Sequence, residues 1–330
     1  MMALYRRLLP LAALLAFGVV ALGAWVRLSD AGLGCPDWPG CYGQWMGVPE
    51  HAADVGKAWK EMVHRYFAGT LGLLIFALCL LSWRQRPRLS PVLPTTLAGI
   101  VVCQALLGMW TVTLLLKPLV VSAHLLGGMT TLALLVWLNL REVPARGVTA
   151  PGGLRTAGLL ALALVALQIA LGGWVSSNYA ALACPDFPAC QGQWLPAMDF
   201  GHAFTLHREL GQTASGTPLA LDALTAIHWS HRLGAVLVAA VVGGLGAALL
   251  RQPGWRHWGT LVLGLVALQF GLGVANVLLA LPLPVAVAHN AGAALLLSGV
   301  LAVNFRLWKA TPAYGKAGIV GSTPLHSASG

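Results

Sequence analysis

Residues 235–250 read AVLVAAVVGGLGAALL, an unbroken run with no charge and no strongly polar side chain. A strand of a membrane barrel would alternate apolar and polar residues over ~10-residue segments, and this run does not alternate. Gly243, Gly244 and Gly246 inside it are tolerated in a membrane helix. Leu71–Leu81 reads the same way. A spanning helix needs ~20 mostly apolar residues. The stretches that satisfy this are roughly 8–27, 62–83, 92–116, 119–140, 156–176, 227–250, 258–280 and 283–308. The expected fold is therefore an all-α integral membrane protein with eight transmembrane helices.

Composition agrees. Of 330 residues, 58% are hydrophobic and 9% charged, with mean hydropathy +0.76. Soluble domains carry roughly 25% charged residues, so a soluble globule, a disordered chain, a coiled coil, collagen and a small secreted scaffold are excluded. Net charge is +10, and its placement matters more than its size. Arg6, Arg7, Arg84, Arg86, Arg88, Arg141, Arg146, Arg155, Arg251, Arg256, Arg306, Lys309 and Lys316 all fall on one side of the predicted spans, with Glu142 as the only acid there. Basic residues mark the cytoplasmic side. Both termini are thus expected in the cytoplasm of a multi-pass inner (plasma) membrane protein, with loops 28–61 and 177–226 facing outward. The excess charge is topological, and no nucleic-acid partner is called for. Arg6-Arg7 before an apolar run resembles a secretory signal. An internal repeat argues against cleavage.

Trp25, Cys35, Cys41 and Trp45 recur 149 residues on as Trp174, Cys184, Cys190 and Trp194. His64-Arg65 recurs as His231-Arg232, and Gln104, Gly108 and His124 recur as Gln269, Gly273 and His289. Two tandem four-helix bundles follow, 1–150 and 151–310, entering the membrane from the same side as parallel repeats do. Residues 311–330 are small and polar and are expected to form a disordered cytoplasmic tail. Small residues around Gly243 and Gly244 permit helix association, so an oligomer is allowed.

His51, His202, His207, His257 and His326 fall in loops, at a span end or in the tail, and read as surface residues. His64, His124, His228, His231 and His289 fall near the outer ends of spans, where ionisable groups are expensive and usually functional. A single membrane histidine commonly bonds to a neighbouring helix, but four at repeat-matched positions shift the balance. Two neutral imidazoles facing each other suit an iron porphyrin. Zinc would want three or four ligands, and no other ligand type is duplicated at that depth. The reading is two haem sites side by side, on His64 with His124 and on His231 with His289. Arg65 and Arg232 either pair with propionates or snorkel to the interface.

Glu61 precedes His64 by one helical turn, on the same face, and its repeat partner is His228. Either Glu61 serves proton abstraction, or it is a loop residue pairing with Lys57 or Lys60. The asymmetry favours one reactive half and one electron-handling half. The cysteines of Cys35-Pro-Asp-Trp-Pro-Gly-Cys41 and Cys184-Pro-Asp-Phe-Pro-Ala-Cys190 lie in outer loops, where disulfides are expected. They either staple each loop over its haem site or exchange electrons with a thiol partner. Cys79 and Cys103 read as packing residues.

Glu61-x-x-His64-Arg65, the two Cys-Pro-Asp-aromatic-Pro-x-Cys loops, His124, His231-Arg232 and His289 on duplicated units resemble the haem A synthase family over nearly the whole chain. That resemblance implies oxidation of the C8 methyl of haem O to a formyl group, with water as the oxygen source, for cytochrome oxidase assembly. It implies that His64 and His124 take the substrate haem, with Glu61 as the reactive carboxylate and Arg65 beside it. It implies haem b as cofactor on His231 and His289, next to Arg232 and His228. It implies disulfides Cys35–Cys41 and Cys184–Cys190. Implied partners are haem O, membrane lipid, a haem O synthase from the same pathway and an electron acceptor that the sequence does not name. The competing reading is a bis-haem b electron carrier linking outer thiols to quinone.

Overall fold

In a computed structural model, residues 1–143, 149–150 and 152–312 are described. Eight long apolar helices are present: α1 (Met2–Leu28), α2 (Val55–Arg84), α3 (Val92–Thr113), α4 (Pro118–Glu142), α5 (Gly153–Ser177), α7 (Leu221–Leu250), α8 (Arg256–Leu278) and α9 (Leu283–Lys309), with a one-turn α6 (Phe200–Ala203) in the longest loop. All eight are long and apolar enough to cross a membrane. Leu14, Leu73, Leu167 and Val236 stand exposed on their flanks, the surface expected where the solvent is hydrocarbon. Thr149–Ala150 and Thr311–Pro312 pair as a two-residue parallel ladder. The expected tail otherwise lies outside the described residues.

α2 and α7 begin at Val55 and Leu221, earlier than their apolar runs. A helix continues past the apolar boundary while its backbone bonds are satisfied. Asp54 caps α2 by accepting from the Lys57 N–H. His64 and His231 therefore lie well inside their helices, about three turns from the start.

Within the first half, α1 packs on α2 and α4, and α3 packs on α2 and α4. Within the second, α5 packs on α7 and α9, and α8 packs on α7 and α9. α1 and α4 meet α9, and α4 also meets α5. The repeat extends to the backbone. Among the described residues, the non-glycine positions with positive φ form matched pairs: Asp30 with Tyr179, Tyr42 with Gln191, Leu115 with Ala280 and Leu116 with Leu281. Left-handed backbone is unfavourable for L-residues, so its recurrence reflects shared turn geometry. Arg27 donates to the Ser176 carbonyl at 2.7 Å, and Tyr179 Oη lies 3.4 Å from Asp30. In each contact a residue meets its own repeat partner, the behaviour of groups beside a two-fold axis.

Candidate functional site

The long loops fold first around their own aspartates. Asp37 accepts from the Tyr42 and Gly43 N–H groups at 2.6 and 2.8 Å, and Asp186 accepts from Gln191 and Gly192 at the same distances. The Gly192 N–H, with that of Gln191, holds the Asp186 carboxyl below the ordinary carboxylate range. Cys35–Cys41 and Cys184–Cys190 are disulfide-bonded across these turns. The sequence reading missed the aspartates, although both stand at the third position of the repeated motif.

In each half a matched residue pair on the helix beneath ties down the loop. Glu61, 4% exposed, accepts from the Cys35 N–H at 2.9 Å and pairs with Arg65 at 2.5 Å. Arg65 also donates to the carbonyls of Asp37, Pro39 and Gly40. In the second half, Cys184 N–H lies 3.4 Å from His228 Nδ1, and Arg232 Nε lies 3.2 Å from His228 Nε2. Arg232 donates to the carbonyls of Ala189 and Cys184 at 2.8 Å. Position 61/228 thus does the same structural work in both halves. A carboxylate can accept both bonds, whereas a neutral imidazole accepts at only one ring nitrogen.

Below the loops lies a cavity of about 1180 Å³, larger than the roughly 300–1,000 Å³ of most small-molecule sites. Glu61, His64, Arg65 and His124 line it from the first half, and His228, His231, Arg232 and His289 from the second. Trp38, Trp45, Phe187 and Trp194 of the loops close over it. The expected site residues are therefore brought to one cavity, and the four cysteines sit above it.

Whether a porphyrin suits these residues can be tested on the helices facing each imidazole. Opposite His64, His124, His231 and His289 stand Gly23, Gly108, Gly172 and Gly273, where a Cβ would come within 3.0, 3.3, 3.1 and 3.2 Å of the ring. Four glycines thus leave each ring its room. The His231 and His289 ring centroids are 6.4 Å apart. A metal held by imidazole nitrogens at roughly 2.0–2.1 Å on either side sets the ring centres about 6 Å apart, so this pair suits a bis-histidine iron. Among the described residues no three His, Cys, Asp or Glu side chains gather as a metal cluster.

The halves differ behind the rings. Gln168 Nε2 lies 3.0 Å from His231 Nδ1, and Gln269 Nε2 lies 3.3 and 3.4 Å from His289 Nδ1 and Nε2. Among the described residues, Nδ1 of His64 and of His124 is buried without a hydrogen-bond partner. Val19 stands where the repeat would place a counterpart of Gln168. The repeat-matched glutamines were visible in sequence at 104 and 269, but Gln168 has no counterpart and gave no signal.

The COX15-CtaA family model, described as cytochrome oxidase assembly protein, matches residues 6–301. A heme A synthase of Shewanella oneidensis is 42% identical over 308 residues, covering 88% of this chain and 92% of the relative. Heme A synthases of Nitrosospira multiformis and Methylobacterium radiotolerans are 28% and 29% identical, covering 89% and 86% of this chain and 90% and 85% of those relatives.

Proposed function

Because the chain belongs to the COX15-CtaA family of cytochrome oxidase assembly proteins, we propose that it is a haem A synthase, a membrane oxidoreductase that converts haem O to haem A. The observation that carries this reading is the pair of matched histidine sites on one cavity, with a carboxylate beside only one of them. Conversion of the C8 methyl to a formyl group takes up one water and releases four protons and four electrons.

His64 and His124 hold the substrate porphyrin, and the unpartnered Nδ1 atoms behind them leave its ligands free to exchange. Glu61 faces the same cavity, where it accepts a proton from the reacting methyl or orients the attacking water. Arg65 keeps that carboxylate in place from one side, and the Cys35 N–H from the other. Donors left over on Arg65 and Arg232 are available to propionates. His231 and His289 would hold haem b, with Gln168 and Gln269 orienting their rings. Bound between these two histidines, haem b would supply an electron relay rather than a site for oxygen. The disulfides fasten the loop lids over both sites. The one-sided basic residues support an orientation with both termini in the cytoplasm and the lids on the outer face of the inner membrane.

The test is to express the chain in cells that supply haem O, purify it and identify the extracted haems by chromatography and mass. Haem b with haem A or a hydroxylated haem O is expected. Glu61→Gln should retain unoxidised haem O, with a loss of ~10²–10⁴-fold in oxidation rate. Two equivalents of haem b and no oxidised product, with haem O abundant, would sink the assignment.

A further inference from the structure

The two halves differ along one helix seam. On α7 the cavity wall ends at Ala239, whereas on α2 it runs a turn further, through Leu73 to Phe76. Leu73 is 74% exposed and Phe76 46%, so this extension opens toward lipid. Opposite them Val102 and Leu106 of α3 line the cavity and are also exposed. At the mouth stand Gly69, whose missing side chain would meet nothing within 4 Å, and the exposed Ala105. Their repeat partners are the bulkier Val236 and Phe270, which also line the cavity; Val236 is itself 58% exposed, so the halves differ in the bulk at this point and in the extra turn of lining on α2, not in lipid exposure alone.

The cause lies nearer the other end of the same helices. α7 and α8 close on each other through Gly246 and Gly259. A Cβ on Gly246 would lie 2.8 Å from Leu263, and one on Gly259 would lie 2.7 Å from the Gly246 carbonyl. Small residues let helix backbones approach in this way. The matching positions on α2 and α3 are Cys79 and Pro94, and there the Cys79 Sγ lies between the helices, 3.6 Å from Thr95 Oγ1. α2 and α3 accordingly touch along less of their length than α7 and α8.

We propose that the α2–α3 seam seats the isoprenoid tail of the substrate porphyrin and lets it pass from the iron level into the hydrocarbon. The inference rests on the reading of the first half as the haem O site. A tail of this kind needs a slot that is apolar, continuous with the porphyrin cavity and open to lipid, and the seam has these properties. A porphyrin without a long tail needs no such slot, and the second half has Val236 and Phe270 in its place. The slot thus selects prenylated porphyrins for the reactive half.

The test uses the full chain in lipid nanodiscs, with the second site loaded with haem b. Haem O and untailed protohaem are titrated separately into the first site and followed by absorbance. Wild type should prefer haem O. Gly69→Val/Ala105→Phe, which installs the residues of the second half, should weaken haem O by about tenfold or more and change protohaem by less than about threefold (tenfold being ~1.4 kcal/mol). Unchanged absorbance of the second site shows that the variant is folded. Equal weakening of both ligands, or of neither, overturns the proposal and leaves the seam a wall or a lipid contact. A wild type that takes up no haem O in the first half overturns the functional reading as well. The reverse variant, Val236→Gly/Phe270→Ala, should raise haem O binding in the second half, and no gain there counts against the slot.

Discussion

The two halves of this chain share a backbone down to their left-handed turn residues, yet their sites are built to different ends. In the second half each imidazole has a glutamine against it, and α7 and α8 close on each other at glycines further along. In the first half both Nδ1 atoms lack a partner among the described residues, and the cavity runs a turn further along the seam. On the proposed function, this difference would let one site keep its porphyrin and the other exchange it. Duplication supplied two equal pockets, and a few side chains made them unequal.

The largest expected break in that comparison is at position 61/228. Glu61→His copies the second half into the first. Since His228 shows that an imidazole can hold the loop, haem binding should survive while the rate of haem A formation falls by ~10²–10⁴-fold. His228→Glu should leave that rate within about threefold and create no second oxidising site, because the ligands there are still held by glutamines. Haem A accumulation against time, from supplied haem O, checks both. Normal oxidation in Glu61→His would remove the carboxylate from the mechanism.

A smaller effect is expected behind the rings. Gln168→Leu and Gln269→Leu should each weaken haem retention in the second half by about 10–100-fold, the usual cost of losing the partner of a metal-bound histidine, with the first site unchanged. The converse variant needs two changes, because the Gln168 amide lies against Gly234 while the matching position is Phe67. Val19→Gln/Phe67→Gly should slow haem release from the first half. Haem transfer to an excess of apomyoglobin measures these rates, and equal rates in all variants would refute the exchange argument.

The smallest effect concerns the lids. Asp186 has a carboxyl held below its ordinary value by the Gly192 and Gln191 N–H groups. Its contribution is complete above the unfolded carboxylate value of about 4 and is lost as pH falls through the lower folded value. Hydrogen exchange at the Gln191 and Gly192 amides should therefore rise, beyond the intrinsic pH trend, only in strong acid. Asp186→Asn should abolish that pH step.

Much of this was legible in the chain. Continuous apolar runs specify spanning helices because lipid leaves the backbone no other partner. The fixed offsets paired Glu61 with His228 and His64 with His231 before any coordinates, since a duplicated helix keeps its register. The ends of α2 and α7 were misplaced because a helix outlasts its apolar run. Asp37 and Asp186 were passed over because a surface aspartate looks the same whether or not it caps a turn. Sequence alone determined the eight helices, the repeat, the paired histidines and the unequal position 61/228, all of which are local or periodic. Only the tertiary structure decided what stands behind each imidazole, where the arginine donors go and which seam is open. Those depend on the distance between helices far apart in the chain, which Gly246 and Gly259 make short in one half and which has no such glycine pair in the other.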